Sequence, residues 1–147
     1  MSNKAMAPYP VVIGIPIAWG DMDAFQHVNN TAYFRYFESA RIAYFERTGM
    51  MAVMKRDGIG PILAATSCRF RLPLTYPDTV SVGATALELG EDRFMMRYAA
   101  FSHRLGQIAA EGEGRIVIYD YRAQRKAAMP ATLRAAIESV EAGGQRE

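Results

Sequence analysis

The sequence predicts an α+β fold in which one antiparallel sheet of five strands wraps around one long central helix. Three observations carry this. Apolar residues recur at every second position over Val11, Ile13, Ile15, Ile17 and Trp19, the period of a strand with one buried face. Tyr33, Tyr36, Phe37, Ala40, Tyr44 and Phe45 then fall at the spacing of a single helical face. From residue 62 onward, four β-like segments follow one another with turn residues between them.

Each element has a local reason. Residues 1–8 are small and polar and read as a loose tail. Pro16 has no N–H to give to a ladder, so the first strand belongs at a sheet edge or at an irregularity. Asn29 or Asn30 caps the helix, because a short side-chain oxygen accepts from the first free N–H groups. Gly49 stands where a C-terminal glycine ends it, giving a helix of roughly 18 residues and about 27 Å. Residues 50–60 read as a short helical turn and a loop. Ile62–Arg71, Val80–Leu89, Arg93–His103 and Gln107–Tyr119 read as strands. The connections between the last three are short, which predicts an antiparallel meander. In the final strand Glu111, Glu113 and Arg115 share one face, and Gly112, Gly114, Ile116 and Ile118 the other. A helix over 131–141 follows Pro130, which suits a first helical turn, and residues 143–147 read as frayed. No repeat, linker or low-complexity segment interrupts the chain, so 1–147 reads as one domain.

Composition narrows the setting. At 147 residues, half of them hydrophobic and 22% charged, the chain has the make-up of a soluble globular domain. Its single cysteine, Cys68, excludes an internal disulfide and points to a reducing cytoplasm. A net charge of +2 gives no argument for nucleic acid. The apolar run Val11–Ala18 is too short to span a bilayer. Trp19, Gly20 and Asp21 follow it instead of a small-residue cleavage site, so neither a secretory leader nor membrane insertion is expected.

The chemistry concentrates between Trp19 and Tyr33, where Asp21, Asp23, His27, Asn29 and Asn30 lead into the helix. A helix N-terminus presents N–H groups without intrahelical partners, so a carboxylate beside it joins a base or nucleophile to a site for developing negative charge. Other chemistries fare worse. There is no Gly-x-Ser-x-Gly elbow, and His27 and His103 are the only histidines. Cys68 lies mid-strand, where a buried structural thiol is the default. The glycines of Glu111-Gly-Glu-Gly-Arg115 sit inside a strand pattern and lack the strand–loop–helix context of a phosphate loop. Asp21, Asp23 and His27 form an incomplete ligand set, so no metal is expected. Helix capping alone would explain Asn29 and Asn30. It explains Asp23 less well, because Asp23 precedes the cap by six or seven residues and is flanked by Met22, Ala24 and Phe25.

These residues carry a resemblance. Trp19-Gly-Asp-Met-Asp23, His27-Val-Asn-Asn30, Tyr33, Tyr36, Glu38 and Arg41 resemble the motif of hot-dog-fold acyl-CoA thioesterases. The similar branch is the 4-hydroxybenzoyl-CoA thioesterase type, which includes long-chain and Tol–Pal-associated enzymes. Phe70-Arg-Leu-Pro-Leu-Thr-Tyr-Pro-Asp-Thr-Val80 is also similar, so the resemblance spans nearly the whole chain. It implies a hot-dog fold, catalysis by Asp23, and polarisation of the thioester oxygen by the backbone N–H of Asn30. His27, Asn29 and Tyr33 would adjoin the substrate. The chain departs from the family in having Gln26 where a glycine usually precedes the histidine. No cofactor is implied. Active sites shared between subunits are implied, hence a homodimer or homotetramer.

So spare a site suits the chemistry. An alkyl thiol has a pKa near 8.5 and leaves without a strong general acid. What remains is delivery of an oxygen nucleophile, by direct attack or through water, and stabilisation of the carbonyl oxygen. Coenzyme A also brings phosphates, and Arg93, Arg122, Arg125 and Lys126 are the basic residues chosen to meet them, because arginine suits phosphate geometry. The reading from another class is a hot-dog module that binds acyl thioesters without hydrolysing them.

Overall fold

A computed structural model describes residues 4–143. The strands are β1 (Val11–Pro16), β2 (Ile59–Phe70), β3 (Thr79–Leu87), β4 (Arg93–Ser102), β5 (Gln107–Asp120) and β6 (Arg125–Lys126). The helices are α1 (Asn30–Thr48), α2 (Met50–Asp57) and α3 (Ala131–Gly143). The sheet is antiparallel throughout, in the order β1-β3-β4-β5-β2, with the two-residue β6 added beside β5. Among the described residues, that small sixth strand is the one addition to the five expected.

Helix α1 begins and ends as its sequence dictates. The side chain of Asn29 accepts from Thr31 N–H, and Gly49 closes the helix at φ 78°, in the left-handed region that glycine enters without a Cβ penalty. Its aromatic face is fully committed. Tyr33, Tyr36, Phe37, Ala40, Tyr44 and Phe45 are all buried, where each large apolar side chain contributes about 2–3 kcal/mol by leaving water. Phe37 lies over the inner face of the sheet, stacked on Tyr98 with ring centroids 5.2 Å apart. It also rests on Gly112. A Cβ at that position would stand 2.5 Å from Phe37 Cε2 and 3.0 Å from Ser67 O, so glycine is what lets the helix approach β5.

Helix α3 covers a further part of the core with Leu133, Ile137 and Val140. Its Glu141 fixes it there by accepting from Tyr44 O–H at 2.5 Å, Thr85 O–H at 2.6 Å and Ala86 N–H at 2.9 Å. Among the described residues, no helix is long and apolar enough to cross a membrane.

Several expectations change, among them residues 50–60, which form the helix α2 and the start of β2 and not a short turn and loop. Trp19 does not extend the buried face of the first strand. The strand ends at Pro16, and Trp19 opens a short 3₁₀ turn, 73% exposed. Pro16 lies on an edge strand, as its missing N–H requires. The N-terminal segment is not loose over residues 4–8. Lys4–Met6 forms a 3₁₀ turn, and Met6 and Tyr9 pack on Ala99 and over Gly83 as a second apolar cluster. Gly143, read as the start of a frayed 143–147 tail, is instead the last residue of α3. Residues 1–3 and 144–147, also read as loose, lie outside the described residues. Cys68 is half-buried instead of fully enclosed, and burial pushes its thiol up to about 11.

Candidate active site

The loop from Ile17 to Asn29 is held by backbone hydrogen bonds. Ile17 N–H donates to Asp78 O at 2.9 Å and Val28 N–H to Leu74 O at 2.8 Å, tying the loop to the β2–β3 connection. Met22 and Val28 form an isolated antiparallel bridge. Between them the chain makes a tight turn, with Asp23 N–H donating to His27 O and Gln26 N–H to Asp23 O, both at 2.9 Å. Gln26 adopts φ 64° in that turn. A glycine would adopt this conformation without a Cβ penalty, whereas Gln26 holds the left-handed geometry at a cost of about 1–2 kcal/mol.

The two acids of the loop have different surroundings. Asp21 Oδ2 accepts from Ala18 N–H at 3.2 Å and from Tyr36 O–H at 3.0 Å, while Oδ1 pairs with the Arg35 guanidinium at 3.0 Å. Burial of this carboxyl works to raise its pKa, but the bonds from Ala18, Arg35 and Tyr36 outweigh it and hold the group below its ordinary value. Burial, together with the same contact, pushes the Tyr36 phenol far up. Asp23 is tied more lightly. Its Oδ1 accepts from Phe25 N–H at 2.9 Å, and no bond to Oδ2 is found among the described residues. The apolar flanks do not enclose it as the sequence suggested, since Ala24 is exposed and Phe25 is 82% exposed.

A cleft of about 240 Å³ lies at the N-terminus of α1, lined by His27, Val28, Asn30, Tyr33, Phe70, Arg71, Leu72 and Pro73. Asn30, the first residue of the helix, finds no backbone acceptor for its N–H among the described residues. Tyr33 forms the inner wall, with its ring edge-on to Phe70 at 5.0 Å and its hydroxyl accepting from Leu74 N–H at 3.3 Å. Burial raises its phenol pKa, keeping it neutral. The structure thus brings His27, Asn30 and Tyr33 into one cavity wall, with Asn29 beside them as the helix cap. Asp23 stands outside that wall, joined to it through the His27 turn.

Sequence reasoning missed Arg71, Leu72 and Pro73, which reach the cleft from the end of β2. Arg71 and Leu72 N–H groups both donate to Ala109 O, and the Arg71 guanidinium pairs with Glu111 at 2.6 Å. The available signal was the shift from strand pattern to turn residues after Phe70.

The basic residues are not at this cleft within the chain. Arg125 and Lys126 pair with Asp120 and Tyr119, whereas the cleft end of β2 pairs with Ala110. From Ala110 to Tyr119 is about 30 Å of strand. Arg93 is at the same far end, opposite Val117 and bonded to Asp92 at 2.9 Å. Arg122 donates to Arg56 O at 3.1 Å and lies across Gly58. Among the described residues, no three His, Cys, Asp or Glu side chains gather closely enough to hold a metal ion.

Known proteins share the fold of this chain. The family model of the thioesterase-like superfamily matches residues 17–137. A thioesterase from Thermus thermophilus, solved with coenzyme A and zinc, is 28% identical, with a TM-score of 0.82 over 93% of this chain and 98% of that one. The PA5185 protein of Pseudomonas aeruginosa PAO1 is 26% identical, with a TM-score of 0.80 over 92% of this chain and 94% of that one. The long-chain acyl-CoA thioesterase FadM of Escherichia coli K12 is 23% identical over 81% of this chain and 90% of its own. The curled antiparallel sheet around one long helix is the hot-dog fold, shared with the Thermus thermophilus thioesterase.

Proposed function

Because the chain belongs to the thioesterase-like superfamily and is a thioester hydrolase, we propose that it hydrolyses an acyl-CoA thioester at the α1 cleft. The observation that carries this reading is the position of Asn30, a residue of the cleft wall at the first turn of α1 whose N–H has no backbone acceptor among the described residues. In the proposed reaction the thioester carbonyl oxygen takes its hydrogen bond from Asn30 N–H, which strengthens as negative charge builds on that oxygen. Asp23 delivers the oxygen nucleophile, either directly or by taking a proton from water. The carbon–sulfur bond then breaks and coenzyme A leaves as a thiolate. The water route gives the free acid at once. Direct attack instead leaves the acyl group as a mixed anhydride on Asp23, which a water molecule cleaves to release the acid and restore the carboxylate. His27 and Tyr33 border the reacting group.

The phosphate contacts fit this scheme through a second copy of the chain. Strand β2 is a sheet edge, exposed from Leu63 to Ser67 and with no neighbour on its outer side among the described residues. An open edge of that length calls for a partner. Antiparallel pairing of two β2 strands about Ala65 would set the second copy's basic end beside this cleft. Arg93, Arg122, Arg125 and Lys126 of one copy would then serve the acyl-CoA in the other. We read residues 1–147 as a single domain working in the cytoplasm as such a dimer.

Replacing Asp23 by Asn is expected to lower turnover of acyl-CoA at least about 100-fold with the unfolding temperature unchanged, as read by release of free thiol. Wild-type turnover in that variant would remove Asp23 from the mechanism. Sedimentation showing only monomer in the active enzyme would remove the shared site.

A further inference from the structure

Asp21 stands two residues before the reactive carboxylate, yet its bonds run to three separate parts of the structure. Its carboxylate accepts from Ala18 N–H in the turn before it, and from Arg35 and Tyr36 on the second turn of α1. Its backbone oxygen accepts from Asn29 N–H at 2.8 Å, immediately before the helix begins. The Asp21–Asn29 bond therefore closes the base of the reactive loop, and the carboxylate fastens that base to the side of the helix. Asp23 leaves one end of the closure and Asn30 leaves the other. The Met22–Val28 bridge and the turn from Asp23 to His27 are suspended between them.

Asp23 has no comparable anchor among the described residues, since its carboxylate accepts only a local turn hydrogen bond from Phe25. Its placement relative to the helix N-terminus is inherited from the closure. Effective catalysis needs the nucleophile and the oxyanion donor in register, and a displacement of about 1 Å can cost on the order of 100-fold in rate. We propose that Asp21 is the positioning residue of this site, setting Asp23 against the Asn30 N–H by clamping the loop base to Arg35 and Tyr36. The proposal rests on the reading of Asp23 and Asn30 given above. The charge needed for the clamp is present at neutral pH, because the three donors hold the carboxyl below its ordinary value.

The alternative is that these bonds only add stability. Steady-state kinetics on an acyl-CoA separates the two, with thermal unfolding measured alongside. Asp21→Asn keeps the shape but turns an amide N–H toward the Arg35 donor. It is expected to lower kcat about 10- to 100-fold, with KM held within about threefold. Tyr36→Phe removes one donor and leaves the carboxylate, and is expected to lower kcat about threefold in the same manner. The double variant should fall no further than Asp21→Asn alone, because both changes open one clamp. An unchanged kcat in folded Asp21→Asn and Tyr36→Phe, or a rise in KM alone, overturns the proposal. If Asp21→Asn does not fold, Tyr36→Phe carries the test by the same kcat and KM criteria. Asp23→Asn keeps the two ideas apart. Loss of activity there with full activity in Asp21→Asn rejects only the positioning role. Full activity in Asp23→Asn rejects the catalytic reading itself.

Discussion

The helix–sheet seam and the reactive loop lie next to each other on α1 and are held by different forces. At the seam, Phe37 sits on Gly112 and Tyr98, and the aromatic stripe from Tyr33 to Phe45 is buried. Shape decides that contact, because a packed interior has no room for one added carbon. In the loop, Trp19 and Phe25 are exposed, Gln26 is in left-handed geometry, and order comes from hydrogen bonds to Asp21, Asp78 and Leu74. Direction decides there. The scaffold therefore tolerates change in polarity poorly and in volume hardly at all, whereas the loop is sensitive to the loss of particular donors and acceptors.

Substitutions can break or sharpen that contrast. The largest stability effect is expected from Gly112→Val, whose side chain has no space against Phe37 or Ser67 O. It should cost about 3 kcal/mol, which lowers the unfolding temperature by about 10 °C. A near-native unfolding curve would show that the seam is not close-packed. Next comes Glu141→Ala, which leaves the buried Tyr44 hydroxyl and Ala86 N–H without their acceptor. A loss of about 2 kcal/mol is expected, measured by denaturant titration, and a neutral result would mean that water replaces the carboxylate there. Gln26→Gly should act in the opposite direction. Relief of the left-handed backbone, less the added freedom of glycine in the unfolded chain, is expected to raise stability by about 0.5 kcal/mol. A drop would show that the Gln26 side chain makes a contact worth more than the strain.

The smallest effect is in acid. The Asp21 carboxyl is held below the ordinary 3.8 when folded. Its contribution is therefore complete above the unfolded value and is lost as pH falls through the lower folded one. Hydrogen exchange of the loop amides should stay constant from neutral pH down to about 4, after the intrinsic rate is corrected, and quicken below it. Loop protection that fails well above that point would mean that some other group holds the loop.

Much of the fold was legible because its signals are periodic and local. The spacing of Tyr33 through Phe45, the cap at Asn29 and the stop at Gly49 each follow from interactions within a few residues. The alternation of Glu111, Glu113 and Arg115 against the buried side of β5 is equally local. Trp19 misled for the same reason. Alternation continued past the end of the strand, but after a last backbone bond from Ile17 to Asp78 the chain turns away, and Trp19 opens a 3₁₀ turn in solvent. The apolar flanks of Asp23 were visible, but not the turn that points Phe25 into solvent.

The sequence by itself determined the element order, the aromatic helix face and the presence of an acid-bearing loop ahead of a helix N-terminus. All are set by neighbours in the chain. Tertiary structure decided which acid is clamped and which is tied only by a local turn, because Asp21 meets Tyr36 only after the loop folds back on α1. It also decided that Arg71 joins the cleft while Arg122, Arg125 and Lys126 stand at the far end of the sheet. Antiparallel pairing sets those distances, and no local pattern encodes them.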